Sequence, residues 1–165
     1  MIRVLLCCGG GFSSSYIVEK MKKEIINKNI SDKISIEYSP FSLSIEKIHD
    51  CDIMICCPHL NVYIKSFVES NDINIPIYVL PPRMYGKMEI EEIYLDCMDI
   101  IDIYNQTNIN PVHFPGEENV LKIKRSKAYK KSVKTLFLFY HFKLHRFHDI
   151  YTFLMSFFIY TTCCF

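Results

Sequence analysis

Short apolar runs alternate with stretches of helical spacing over the first two thirds of the chain. Residues 3–7 read as a short buried strand, and 33–38 alternate apolar and polar positions as a half-covered strand does. Residues 52–56 (DIMIC) form a third apolar run, broken by Pro58, and 75–80 a fourth with a Pro near its start. Between them, 16–29 carry Ile17, Met21, Glu24/Ile25 and Lys28 on successive turns. Residues 42–49 read as a short helix, 60–70 as a helix and 89–105 as a strongly amphipathic helix. Residues 8–15 and 81–86 are predicted loops.

The order βαβαβαβα predicts an α/β fold, a four-stranded parallel sheet with helices on both faces. In such sheets ligands bind beyond the carboxyl ends of the strands. The segments 8–15, 57–60 and 81–86 all follow strands, so three loops are expected on one rim.

Charge divides the chain. Residues 1–111 hold 10 Lys/Arg and 15 Asp/Glu, a net of −5, whereas 112–165 hold 9 Lys/Arg and 3 Asp/Glu, a net of +6. The formal total of +1 hides an acidic body and a basic tail. With half its residues hydrophobic, the chain is not a disordered one. The expected organisation is a domain over 1–105 and a basic, aromatic-rich C-terminal extension over 106–165.

Three adjacent cysteine pairs (Cys7/Cys8, Cys56/Cys57, Cys163/Cys164) and no Cys-x-x-Cys make poor zinc spacing. No secretory pattern opens the sequence, and several cysteines fall in buried strands, so a reduced, cytoplasmic setting is expected.

The loop Cys8-Gly9-Gly10-Gly11-Phe12-Ser13-Ser14-Ser15 follows a strand and opens a helix. Glycines let the backbone turn sharply and point N–H groups inward. The helix N-terminus adds about half a positive charge. The result is an anion nest for a phosphate or phosphoryl group, to which serine hydroxyls add donors. The same dipoles should lower the thiol pKa of Cys8, making it a nucleophile aimed at phosphorus. An ordinary strand–helix turn with Cys8 as packing is the alternative. The loop lacks the Gly-Lys-Ser/Thr ending of a Walker loop and does not match Gly-x-Gly-x-x-Gly.

With these residues in view, 1–104 resembles the IIB component of the bacterial sugar phosphotransferase system, lactose/cellobiose class. That family's Cys-x-x-Gly-Met-Ser-Thr-Ser stands here as residues 8–15, with Phe12 for Met and Ser14 for Thr. Its Asp-Val-Val-Leu-Leu-Gly-Pro-Gln stands as Asp52-Ile-Met-Ile-Cys-Cys-Pro-His59, and its third block, a strand then Tyr-Gly-x, as Ile77 through Tyr85-Gly86-Lys87. The resemblance implies that Cys8 accepts a phosphoryl group from a phosphohistidine of a IIA partner. Cys8 then passes it to a sugar of the cellobiose, lactose or chitobiose type bound in the membrane-embedded IIC permease. It implies a phosphate loop over Gly9, Gly10, Gly11, Phe12, Ser13, Ser14 and Ser15, with Pro58, His59 and Tyr85 as accessory residues. It also implies a cytoplasmic protein, peripheral to the inner face of the membrane through IIC. Phosphoryl transfer is mostly positioning and charge stabilisation, so a bare loop with one nucleophile suffices. His59 is read two ways, as a solvent-exposed loop histidine or as a phosphate partner when charged. Cys7, pointing to the opposite face from Cys8, is read as packing.

Two other classes compete. Low-molecular-weight phosphatases and arsenate reductases also carry a Cys after the first strand, but their chemistry needs Cys-x5-Arg and a general-acid Asp. Ser14 stands in place of that Arg, and 81–86 contains no Asp. A phosphocysteine should therefore persist, as a carrier requires. A phosphate-sensing regulatory module is the non-enzymatic reading. No nucleic-acid partner is expected, since no DNA-binding pattern is present and the basic run 122–134 reads as a solvated face.

Residues 150–165 are uncharged and mostly apolar but shorter than the about 20 residues that span a bilayer. His141, His145 and His148 share helical spacing and offer a weak metal pattern. For 135–165 three readings stand: a helix docked on the body, a segment lying at a membrane surface, or a non-native extension such as a frameshift produces.

Overall fold

The structure is a computed structural model, and it describes residues 1–10 and 12–133, apart from the side chains of residues 12–15. The weak pattern of His141, His145 and His148 and the readings of 135–165 lie outside the described residues. Four strands, β1 (Ile2–Cys8), β2 (Ile34–Pro40), β3 (Ile53–Cys56) and β4 (Ile77–Val79), form a wholly parallel sheet in the order β2-β1-β3-β4. The helices are α1 (Phe12–Asn27), α2 (Ser44–Lys47), α3 (Asn61–Ser70), α4 (Pro82–Lys87) and α5 (Ile90–Thr107), with short 3-10 turns flanking α2 and preceding α3. The α/β class and its parallel sheet stand as expected.

Alternation along the strands divides the core in two. Val4, Leu6, Ile34, Ile36, Ile53, Ile55 and Tyr78 face Val18, Met21 and Ile25 of α1 and Ile93, Cys97 and Ile100 of α5. On the other face Leu5, Cys7, Met54, Cys56, Ile77 and Val79 meet Ile48 and, around α3, Leu60 and Ile64. Both strand faces are buried, which is why β1, β3 and β4 are near-continuous apolar runs, while the edge strand β2 alternates.

Two local departures bear on the site. The segment 81–86, expected as a loop, is mostly the helix α4. Pro82 suits a first helical turn, where its missing N–H costs nothing. Met84 is buried, which stabilises the turn by about 1.5–3 kcal/mol. Met88 closes it in the left-handed region, its N–H bonding the Met84 carbonyl at 2.8 Å. Helix α1 begins at Phe12, so 12–15 are its first turn and the loop between strand and helix is shorter than 8–15.

The first compact unit runs Met1–Tyr129, well past residue 105. Beyond α5 the Asn110 side chain bonds the Ile77 amide and the Ile75 carbonyl (2.8 and 2.9 Å), and Val112 makes a parallel bridge to Tyr78. Val112 and Phe114 complete the core on the α5 side. Arg125 then reaches back. Its guanidinium bonds Asp96 (2.7 Å), both Glu117 oxygens (2.7 and 2.9 Å) and the Tyr78 hydroxyl (2.7 Å), over the Phe114 ring at 5.1 Å. The start of the basic tail is thus bound into the acidic body by charge and by aromatic packing.

Candidate functional site

Two of the segments expected on one rim, those after β1 and β3, meet there, and the third is the helix α4. Cys8 is the last residue of β1, almost wholly buried, with its side chain on the opposite face from Cys7. The register pairs Cys7 with Cys56, so Cys57 lies beside Cys8 at the end of β3, and the Cys57 amide bonds the Cys7 carbonyl at 3.0 Å.

Four groups converge on the Cys8 sulfur or its loop. The Gly10 N–H points at Sγ at 3.4 Å. Gly10 adopts φ +101°, a backbone region that L side chains rarely enter, and this turns its amide inward. The Tyr38 hydroxyl lies 3.2 Å from Sγ. The Cys57 thiol is electrostatically coupled to Cys8 and to the Tyr85 hydroxyl. The Gly9 N–H donates to Nε2 of His59 at 3.2 Å.

The electrostatics assign proton states to the neighbours. Burial, partly opposed by the Tyr85 hydroxyl, pushes the Cys57 thiol up to about 11, so it stays protonated near neutral pH. Its hydrogen bond to Cys8, then burial, pushes the Tyr38 phenol up to about 12, so it too keeps its proton. Burial drives Cys7 and Cys56 well above the ordinary thiol range, as befits packing residues. Cys8 is therefore the sulfur on which the Gly10 amide and the Tyr38 hydroxyl converge, with Cys57 beside it.

The expected residues are thus placed as follows. Cys8, Gly9, Gly10 and His59 are in contact at the rim. Pro58 is buried and opens the turn that carries His59. Tyr85, set on α4, is coupled electrostatically to Cys57. Phe12, Ser13, Ser14 and Ser15 form the first turn of α1, their side chains outside the described residues, as is Gly11. His59 is both solvent-exposed and turned to the loop. Sequence reasoning missed Tyr38 and Cys57. The period-2 pattern of Ile34, Ile36 and Tyr38 puts Tyr38 on the α1 side, but only the register of β1 against β2 shows that this face carries Cys8. Among the described residues no cluster of three or more His, Cys, Asp or Glu could hold a metal ion.

A parallel α/β sheet whose first strand ends in a buried cysteine, with the Gly10 amide aimed at its sulfur just ahead of a helix, defines a structural class. The comparison with known families narrows it. The family described as "PTS system, Lactose/Cellobiose specific IIB subunit" matches residues 3–96, more than half of the chain, and the chain belongs to that family. It is a component of a sugar phosphotransferase system. The match takes in all three sequence blocks, the rim and every residue of the sheet but Ile2. Among the described residues no helix is long and apolar enough to cross a membrane.

Proposed function

We propose that the chain is a phosphoryl carrier with Cys8 as the acceptor. The Cys8 sulfur attacks the phosphorus of a phosphohistidine on a IIA partner. The S–P bond forms, the P–N bond breaks, and the electron pair returns to the imidazole nitrogen. The group then passes to a sugar of the cellobiose, lactose or chitobiose type held by the IIC permease. The observation that carries this reading is the Gly10 amide aimed at Sγ at 3.4 Å, at the strand end that precedes α1. An N–H aimed at the sulfur stabilises the thiolate before transfer. The backbone amides and hydroxyls of 9–15 are the ligands proposed for the phosphoryl oxygens afterwards, each charge-assisted bond contributing about 1.5–3 kcal/mol.

Residues 1–105 supply the carrier chemistry in this reading, and no metal or organic cofactor is required. The protein works in the cytoplasm and meets the membrane through IIC. Ser14, where the phosphatase mechanism needs Arg, favours a persistent phosphocysteine over hydrolysis.

The test is phosphoryl transfer from phosphoenolpyruvate through the general components and a cognate IIA to the purified chain. The expected product is an acid-stable, iodine-labile thiol linkage at residue 8, abolished in Cys8→Ser. Labelling of Cys8→Ser, or turnover of an aryl phosphate by the wild type, would reverse the assignment.

A further inference from the structure

We propose that Tyr38 is a catalytic hydrogen-bond donor to the Cys8 sulfur, holding the thiolate before phosphoryl transfer and receiving it again when the phosphoryl group departs. The proposal rests on the carrier reading of Cys8 and adds a residue to it.

The geometry is specific. Tyr38 lies on β2, which pairs in parallel with β1, and Tyr38 stands opposite Leu6. Both point to the α1 side, and Cys8 follows two residues further along that face. A tyrosine is long enough to run along the strand pair and set its hydroxyl 3.2 Å from Sγ. The ring is half-buried against the core, so the phenol is positioned by packing and loses little further freedom in making the bond. The high phenol pKa means that Tyr38 donates its proton in the hydrogen bond without surrendering it.

The consequence differs between the two legs of transfer. On the accepting leg a donor to the thiolate raises the fraction ionised but lowers its intrinsic nucleophilicity, and the two effects largely offset. On the delivering leg the S–P bond breaks and its electron pair stays on sulfur. A loose transition state places much of that charge on the leaving atom, so a donor already aimed at sulfur helps directly. Tyr38 therefore favours delivery more than acceptance. Throughout, its proton remains on the phenol oxygen.

The experiment compares wild type with Tyr38→Phe, which keeps the ring, and Tyr38→Leu as a second hydroxyl-free variant. Melting curves show which variants remain folded. Alkylation of residue 8 by iodoacetamide is followed against pH, with the label localised by fragmentation mass spectrometry to separate Cys8 from Cys7. The midpoint should rise by about one unit in either folded variant. Return of the phosphoryl group from phosphorylated chain to unphosphorylated IIA should slow roughly tenfold. An unmoved midpoint in folded variants overturns the proposal, as does a raised midpoint with an unchanged return rate. If the wild type accepts no phosphoryl group from IIA, the carrier reading fails and the catalytic role with it. The alkylation midpoints then still report whether Tyr38 holds the thiolate, so the two failures are told apart.

Discussion

Nε2 of His59 accepts a hydrogen bond from the Gly9 amide at 3.2 Å, so a side chain occupies a backbone donor of the loop beside Cys8. A phosphoryl group on Cys8 that takes this amide must displace the ring. His59 is exposed, which lets it swing away at little cost. His59→Ala removes the competitor. The expected outcome is a phosphotransfer equilibrium with IIA shifted toward the phosphorylated chain by about 2–10-fold, the worth of one hydrogen bond. The ratio of labelled IIA to labelled chain at equilibrium measures it. His59→Gln, which restores an acceptor, should return the ratio toward wild type.

Gly10 supplies the amide aimed at sulfur only because its φ is +101°. Added at Gly10, a Cβ meets nothing within 4 Å, so the cost of Gly10→Ala is backbone strain, not collision. That strain is about 1–3 kcal/mol if the turn is kept. If the turn relaxes instead, the amide leaves Sγ. Either lower stability in urea or a raised alkylation midpoint at residue 8 is expected, with slower phosphoryl acceptance in the second case. A variant unchanged in all three would remove Gly10 from the nest.

Asp52, the first residue of the second family block, ties β3 to β1. It accepts from the Arg3 amide at 2.7 Å and from the Arg3 guanidinium at 2.7 and 3.2 Å. The Arg3 side chain holds its carboxyl below the ordinary value of 3.8. A lowered folded pKa means that the stabilisation is present above the unfolded value and lost as pH falls through the folded one. Both groups are partly solvated, so the pair contributes little to stability. Asp52→Asn should be slightly less stable at pH 7, and urea midpoints for the two proteins should converge on acidification below pH of about 4.

The sheet was legible because burial on both faces writes each central strand as an apolar run, and the glycine loop because its chemistry is local. What stayed hidden depends on register and on distant partners. Pro82 and Tyr85 read as loop because a two-turn helix offers too few positions for periodicity, and its anchor, Met84, packs against residues far along the chain. Tyr38 and Cys57 reach Cys8 only through strand pairing, which the sequence does not specify. Arg125 read as one charge in a basic run, although its partners lie 8, 29 and 47 positions away.

Those partners make the segment beyond α5 part of the fold. Arg125 and Asp96 are nearly excluded from solvent and 2.7 Å apart. Burial pushes the Asp96 carboxyl up, opposed by the Arg125 charge and the Tyr129 amide. Burial works to lower the Arg125 pKa but is outweighed by Glu117, Tyr78 and Asp96, which hold it above its ordinary value. The Ala128 and Tyr129 amides bond Glu92 and Asp96 at 2.7 and 2.8 Å, and the Phe114 and Tyr129 rings stack at 4.3 Å. Removing one member of a buried pair strands the other, at about 3–5 kcal/mol, whereas replacing both by apolar groups of similar size is often close to neutral. Arg125→Met should therefore destabilise strongly, and Arg125→Met with Asp96→Leu should recover only part of the loss, because Glu117 and the Tyr129 amide are left with no replacement for these partners, with urea unfolding as the readout. A chain cut after residue 111 loses Arg125, Phe114 and Tyr129 together and leaves Asp96 and Glu92 without these partners. It should melt well below a chain cut after residue 133. Equal melting of the two would mean that the carrier domain is complete without residues 112–133.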